Sequence, residues 1–229
     1  MMDLEKFKLD LTLVPLSICL TAGYHAYIWQ SYNAKQPVTA IGVTMKRRIT
    51  WLQDIVQHNG KKGTLGVQSF RNSLMYMILS ASIAIIMNSS LAAIANNTYK
   101  SNHLLLQHPI FGSQSDSLLV VKYCTVSILL LFSFLCSSMA VWFIIEASFS
   151  LNAPPDYAQE HAHMLMKRGF LLGIVGNRVL FMTLPFLFWM LGPVALALSS
   201  LALVLLFYSL DFSVASTEDQ VPQDIWFKE

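Results

Sequence analysis

Five long apolar stretches alternate with polar ones along the chain, and each predicts a helix that crosses a membrane. They cover residues 11–29, 67–95, 118–145, 169–191 and 194–210. A helix rises about 1.5 Å per residue, so about 20 apolar residues span a hydrocarbon layer of about 30 Å. The last stretch is barely long enough and follows a very short turn at Gly192-Pro193. A final pair of helices that only re-enters the membrane is therefore the alternative to a fifth crossing.

The second stretch places its polar side chains on one face. Alternating steps of three and four residues define a seam made of Arg71, Leu74, Ile78, Ala81, Ile85, Asn88, Ala92 and Ala95. In lipid, helices approach closely through small side chains, and a buried amide needs a hydrogen-bond partner. We expect this seam to face other helices, either as packing with one interhelical hydrogen bond or as part of a substrate-facing surface. In the fourth stretch, Gly169, Gly173 and Gly176 form a similar small stripe.

The polar segment at residues 31–69 is strongly basic. A single acid, Asp54, stands among six basic side chains, which are Lys35, Lys46, Arg47, Arg48, Lys61 and Lys62. Such an excess in a short loop is typical of the cytoplasmic side. Apolar residues repeat here at helical spacing, at Met45, Ile49, Leu52 and Val56. The pattern predicts a basic interfacial amphipathic helix with Lys46, Arg47 and Arg48 toward anionic headgroups, or a solvated basic loop that fixes topology, and the two are compatible.

Composition agrees with an all-α integral membrane protein. Hydrophobic residues make up 55% of the 229 residues and charged residues only 12%, which is rare in a soluble domain of this size. The net charge of +2 gives no indication of nucleic-acid binding. We predict one transmembrane domain over residues 1–211 and an acidic, flexible cytoplasmic tail over residues 212–229. Since Lys167 and Arg168 make the second loop on that side basic too, the N-terminus is placed outside or in a lumen.

Arg178 is the most informative candidate residue. It lies ten residues beyond Arg168, about 15 Å along the helix and near half depth, where an arginine must face a partner, a cavity or the headgroups. One hypothesis is a cytosol-facing polar pocket for an anion or a lipid phosphate, built from His25, Arg71, Asn72, Glu146 and Arg178. The other is that Arg178 pairs with Glu146 or a backbone carbonyl and holds the bundle together. Lys122, near the start of the third span, is expected to reach outward to the membrane boundary.

Three functional classes fit a chain of this kind. An enzyme would need a nucleophile, a metal or an acid-base pair, and no such constellation is visible. His161 and His163 lie two residues apart and so point to different faces of a helix, and we predict neither a metal site nor a cofactor. A binding or interaction scaffold needs no such constellation. Its partners would be membrane lipids, anionic headgroups, a second copy or another membrane protein. A small transporter or channel subunit for an ion or small solute is the alternative.

Several short motifs together resemble a known family. They are Tyr24-His25, the stretches TAIG at residues 39–42, RITW at 48–51 and VQSFRN at 67–72, and Pro185 through Trp189 to Gly192-Pro193. The chain is similar through them, from Tyr24 to Asp211, to a family of plant and bacterial multi-pass membrane proteins known as domain of unknown function 599. The resemblance implies a membrane location and a helical bundle and brings no activity. Relatives tend to carry a histidine at the position of Glu146, which makes Glu146 a poor carrier of any shared function.

Overall fold

Six helices make up the described part of the chain, which in this computed structural model comprises residues 2–33, 39–57, 63–100, 116–151 and 155–218. They are α1 (Met2–Asn33), α2 (Ala40–Gln57), α3 (Gly63–Lys100), α4 (Asp116–Leu151), α5 (Pro155–Phe188) and α6 (Pro193–Glu218). Every helix except α2 contains a segment long and apolar enough to cross a membrane, at Leu9–Tyr32, Gly66–Asn96, Leu118–Ser150, His161–Phe188 and Pro193–Phe212. The predicted all-α integral membrane fold is confirmed.

The outer surface of the bundle is apolar over its length. Leu16 is 64% exposed, Ile128 65% and Leu198 65%, each on a different helix. Monomeric soluble proteins rarely expose contiguous apolar surface on this scale, whereas acyl chains solvate it well. The helices are therefore apolar all round because one face meets protein and the other meets lipid.

The bundle is built around α4 and α5, which form the central pair. α3 packs on α4, α6 packs on α5, and α1 packs on α6. The predicted glycine stripe of α5 is what lets α4 approach so closely. A Cβ atom on Gly176 would lie 2.7 Å from Ser137 Oγ and 3.1 Å from the Ser133 carbonyl oxygen of α4. The Ser133 hydroxyl donates a hydrogen bond of 2.7 Å to the Gly176 carbonyl, so the contact is polar as well as close.

The inward face of α3 lies beside the predicted seam. Asn88 does accept an interhelical hydrogen bond, 2.8 Å long, from the Ser127 hydroxyl of α4. Besides Gly66, Ser80 and the seam residue Ala81, the buried residues of α3 recur every seven positions, at Phe70, Met77, Ala84 and Leu91. Each of these four lies one position before an exposed member of the seam, and these exposed members are Arg71, Ile78, Ile85 and Ala92. The helix is thus rotated by about one residue relative to the prediction.

α2 has the predicted amphipathic pattern. Met45 and Leu52 are buried in a core cluster that also contains Phe70 of α3 and Phe170 of α5. Lys46 and Arg47 are exposed, as expected for the polar face, but the neighbouring Arg48 is half-buried. The other three lysines of the basic segment, Lys35, Lys61 and Lys62, lie outside the described residues.

The turn between α5 and α6 is closed by Gly192 and Pro193. Gly192 has a φ of 156°, a conformation that residues with a Cβ rarely adopt. Its carbonyl accepts a 3.2 Å hydrogen bond from the Leu196 N–H, which starts α6 directly after the turn. α6 then continues to Glu218, so the tail predicted to begin at residue 212 starts inside this helix. The flexibility of that tail stays a prediction, because residues 219–229 lie outside the described part.

Candidate functional site

Arg178 is held by a buried carboxylate on a neighbouring helix. Its Nη2 atom donates to Asp211 Oδ1, and the Tyr24 hydroxyl of α1 donates a 2.6 Å hydrogen bond to the other carboxylate oxygen. The side chain of Asp211 is only 3% exposed and that of Arg178 16%. Charged side chains at membrane depth almost always face the bundle interior and pair with one another. This group of three residues does so and joins α1, α5 and α6. We call Tyr24, Arg178 and Asp211 the inner triad.

The partner of Arg178 differs from the two predicted ones. It is Asp211, and neither Glu146 nor a backbone carbonyl takes that place. The reason is rotational: Gly176 faces α4, and a residue two positions further along a helix points about 200° away. Arg178 therefore faces away from α4, which carries Glu146, and toward α6. The Arg178 guanidinium carbon also lies 5.1 Å from the centroid of the Phe207 ring, one turn before Asp211.

A cavity of about 280 Å³ opens beside the inner triad. Four helices contribute to its wall, and the polar side chains among the lining residues are Thr44, Arg48, Tyr76, Arg178 and Asp211. We call it the cationic cleft, because two arginines and only one acidic residue are among its lining residues. The cleft lies where the C-terminal part of α6 comes next to α2.

Arg48 is a charge in the cleft wall that none of the described carboxylates neutralises. Its guanidinium carbon stacks 4.2 Å from the centroid of the Phe170 ring. Burial lowers the pKa of Arg48 from its ordinary value, but a guanidinium group stays protonated in proteins. Among the described residues, no carboxylate forms an ion pair with it. The stacking on Phe170 restricts the orientation of the guanidinium group.

A second cavity, of about 250 Å³, lies on the other side of Arg178. Side chains of α1 and α5 form most of its wall, among them Ile28, Leu171, Val175, Val179 and Met182. We call it the apolar cavity. It shares Ile41, Ile174 and Arg178 with the cationic cleft, so the two cavities are adjacent.

His25 lines the apolar cavity beside the inner triad. Its Nδ1 atom lies 2.8 Å from the Thr21 carbonyl oxygen, which can only accept, so Nδ1 carries the hydrogen. The ring packs edge-on against Tyr24 and Phe207, with centroids 5.4 Å and 5.9 Å away. Its Nε2 atom is buried and has no hydrogen-bond partner among the described residues. A neutral histidine of this tautomer offers Nε2 as an acceptor.

The five residues of the predicted pocket do not all come together. Arg178 lines both cavities and His25 the apolar one. Arg71 and Asn72 are exposed on α3, Glu146 is half-buried on α4, and none of the three lines either cavity. The sequence pattern did not predict that Arg48, Tyr76 and Asp211 contribute to the site. For Asp211 a signal existed, because it is an acid at the end of the last apolar stretch and opposite charges in lipid are expected to pair.

A second ionisable group lies at the opposite end of the bundle. Trp189 donates a hydrogen bond of 3.2 Å from its indole nitrogen to Asp10 of α1, and Lys122 Nζ lies 5.6 Å from the centroid of the Trp189 ring. The expectation that Lys122 reaches outward is wrong, because this residue is 0% exposed. Nζ has no hydrogen-bond acceptor within the described part of the chain. A cation–π contact at this distance offsets part of its desolvation.

The comparisons with known proteins give a family and no activity. Residues 12–216 match the family profile DUF599, described as a protein of unknown function. No curated protein and no solved structure matches the chain significantly. The match covers the last four spans completely, the first span from residue 12 onward, and every residue of the inner triad and the cationic cleft. The chain therefore belongs to the DUF599 family of proteins of unknown function.

Proposed function

We propose that this protein is a membrane-embedded binding protein whose cationic cleft holds an anionic, phosphate-bearing headgroup. The observation that carries the proposal is Arg48, a half-buried guanidinium group in a cavity wall with no acidic partner among the described residues. A desolvated, unneutralised arginine in a cleft is a recognised way to bind phosphate, because its fork of donors matches the phosphate oxygens.

The charges around the cleft favour a single anionic group. Arg178 and Asp211 neutralise each other, so Arg48 leaves the wall with one net positive charge. The Nη1 atom of Arg178 is buried and has no acceptor among the described residues. Thr44 and Tyr76 line the same space, and each carries a hydroxyl of the kind that can donate to phosphate oxygens. Because Arg48 is already stacked on Phe170, little side-chain freedom is lost on binding.

The distribution of basic residues supports a cytosolic location for the cleft. α2 and the segment around Lys167 and Arg168 lie at the end of the bundle that contains the cleft, and both are rich in lysine and arginine. Positive residues collect on the cytoplasmic side of membrane proteins, where the leaflet is rich in anionic lipids. Lys46 and Arg47 on the exposed face of α2 add long-range attraction to that surface.

The test is an equilibrium titration of the purified protein with a short-chain phosphatidic acid. Arg48→Gln is expected to weaken binding about tenfold or more, because a hydrogen bond to a charged group is worth about 1.5–3 kcal/mol. Lys46→Gln is the matched control, since it removes one positive charge two residues away from an exposed position. An equal loss in both variants would show that binding depends on general surface charge and would contradict the proposal.

A further inference from the structure

We infer that the ligand is amphiphilic: an anionic lipid whose headgroup lies in the cationic cleft while one of its acyl chains occupies the apolar cavity. The inference rests on the proposed function and names its ligand class. We infer a lipid because a free anion would make no favourable contact in the apolar cavity. Inorganic phosphate or a sugar phosphate would fill the cleft and leave the apolar cavity empty.

The two cavities are adjacent parts of one larger site. They share Ile41 of α2 and Ile174 and Arg178 of α5, so these three side chains border both the polar space and the apolar one. At about 280 Å³ and 250 Å³, each lies below the range of about 300–1,000 Å³ that is usual for small-molecule pockets. Together they fall inside that range. A ligand that spans the shared wall would use the whole volume.

The residues that line the two cavities match the two parts of a lipid, its polar headgroup and its acyl chain. On one side are Arg48 and Arg178, with donors for a phosphate. On the other side the lining is mostly aliphatic, with Ile28, Val175 and Val179 among its residues. Apolar cavities stay dry and take up apolar ligands. The aliphatic part of this lining therefore suits methylene groups and does not stabilise an ion.

The apolar cavity also borders the surface from which a lipid would enter. Trp29 lines it and is 51% exposed on the outside of α1. In a bilayer that outer surface is in contact with acyl chains. A lipid can therefore insert one chain sideways between α1 and α5 and keep its headgroup at the level of Arg48.

The first experiment compares two headgroup-matched probes, glycerol 3-phosphate and a long-chain phosphatidic acid, on variants that alter one cavity each. Val175→Trp fills the apolar cavity and is expected to weaken binding of the long-chain lipid at least tenfold, since excluding two methylene groups already accounts for that factor. Binding of glycerol 3-phosphate should not change. Val121→Trp, at a position of α4 that is 51% exposed, is the matched control and should bind both probes normally.

The outcomes distinguish a failure of the proposed headgroup site from a failure of the inferred acyl-chain site. If Arg48→Gln weakens both probes while Val175→Trp weakens neither, the headgroup site stands and the acyl-chain site is overturned. If Arg48→Gln changes neither probe, the proposed function itself has failed. A loss of glycerol 3-phosphate binding in Val175→Trp would also overturn the separation of the two cavities.

A second measurement needs no variant and decides the matter if Val175→Trp does not fold. Wild-type protein is mixed with phosphatidic acid that carries a photoreactive diazirine at mid-chain, and the crosslinked peptides are mapped by mass spectrometry. We expect crosslinks within residues 171–182 of α5 and around Ile28 of α1. Crosslinks confined to the exposed outer faces of α3 and α4 would overturn the inference.

Discussion

Asp211 is the single residue on which the inner triad depends. It neutralises Arg178 and accepts the Tyr24 hydrogen bond while almost fully buried. Removing one partner of a buried ion pair leaves an uncompensated charge, whereas replacing both partners by apolar groups is often neutral. We therefore expect the intact pair to add little to the overall stability, although the loss of one partner is costly.

Asp211→Ala is expected to lower the free energy of unfolding by about 3–5 kcal/mol, because it leaves Arg178 unpaired inside the protein. The double variant Arg178→Met, Asp211→Leu should recover most of that loss. Glu146→Gln, which removes a carboxylate from α4, should change stability little. Chemical unfolding in detergent measures all three. A double variant as unstable as Asp211→Ala would show that the pair itself, and not the charge it neutralises, stabilises the fold.

The difference between predicted and observed partners at this point has a physical cause. The depth of Arg178 and its need for a partner follow from one apolar segment and the cost of a charge in lipid. The identity of the partner depends on which helices are neighbours and how each is rotated, and a single segment carries little information about either. On α3, apolar residues surround the helix, so Ile78 and Met77 were equally acceptable inward residues although only Met77 is buried.

The contact between α4 and α5 depends on the absence of a side chain at Gly176. Gly176→Ala is expected to lower the free energy of unfolding by about 1–3 kcal/mol, because its methyl group would overlap Ser137 Oγ and a backbone oxygen of α4. Gly23 of α1 is the control, since nothing lies within 4 Å of a Cβ added there. Gly23→Ala should be neutral or slightly stabilising, as alanine favours helix. Thermal unfolding that ranks the two variants equally would contradict the close approach.

At the level of helices, the sequence was a better guide than it was for individual contacts. The five spans, the amphipathic α2 and the turn at Gly192-Pro193 are all present in the structure. These features are determined locally by segment length, by hydrophobic periodicity and by the glycine and proline residues that end helices. The position of α2 against α3, α5 and α6 could not be predicted in the same way. It is this packing that turns Arg48 from an expected surface charge into part of the cleft wall.

The whole molecule carries ionisable residues at both ends of an apolar core. Asp10 and Tyr24 are fourteen residues apart on α1, which corresponds to about 21 Å along the helix. Asp10 lies with Trp189 and Lys122 at one end, and Tyr24 lies with Arg178 and Asp211 at the other. Between them the buried polar groups are hydroxyls, such as those of Ser80 and Ser137. The two ends are therefore chemically distinct, and only one combines these groups with the basic α2.

That asymmetry predicts the orientation of the chain in its membrane. In a variant with the three native cysteines replaced by serine, Lys61→Cys should be protected from a membrane-impermeant maleimide in intact cells. His103→Cys, in the segment between the second and third spans, should be labelled. The reason is that positively charged loops stay on the cytoplasmic side. The reverse pattern would place the cationic cleft outside or in a lumen, away from the anionic leaflet.

The central claim is that a guanidinium-lined cleft in this bundle selects anionic lipid, and the lipids that copurify with the protein test it most directly. Wild-type protein extracted from native membranes in a mild detergent should retain an anionic phospholipid, quantified by mass spectrometry, in about equimolar amount. Arg48→Gln should lose most of it, while Lys46→Gln retains it. A retained lipid pool with the composition of the bulk membrane, unchanged by Arg48→Gln, would contradict the account.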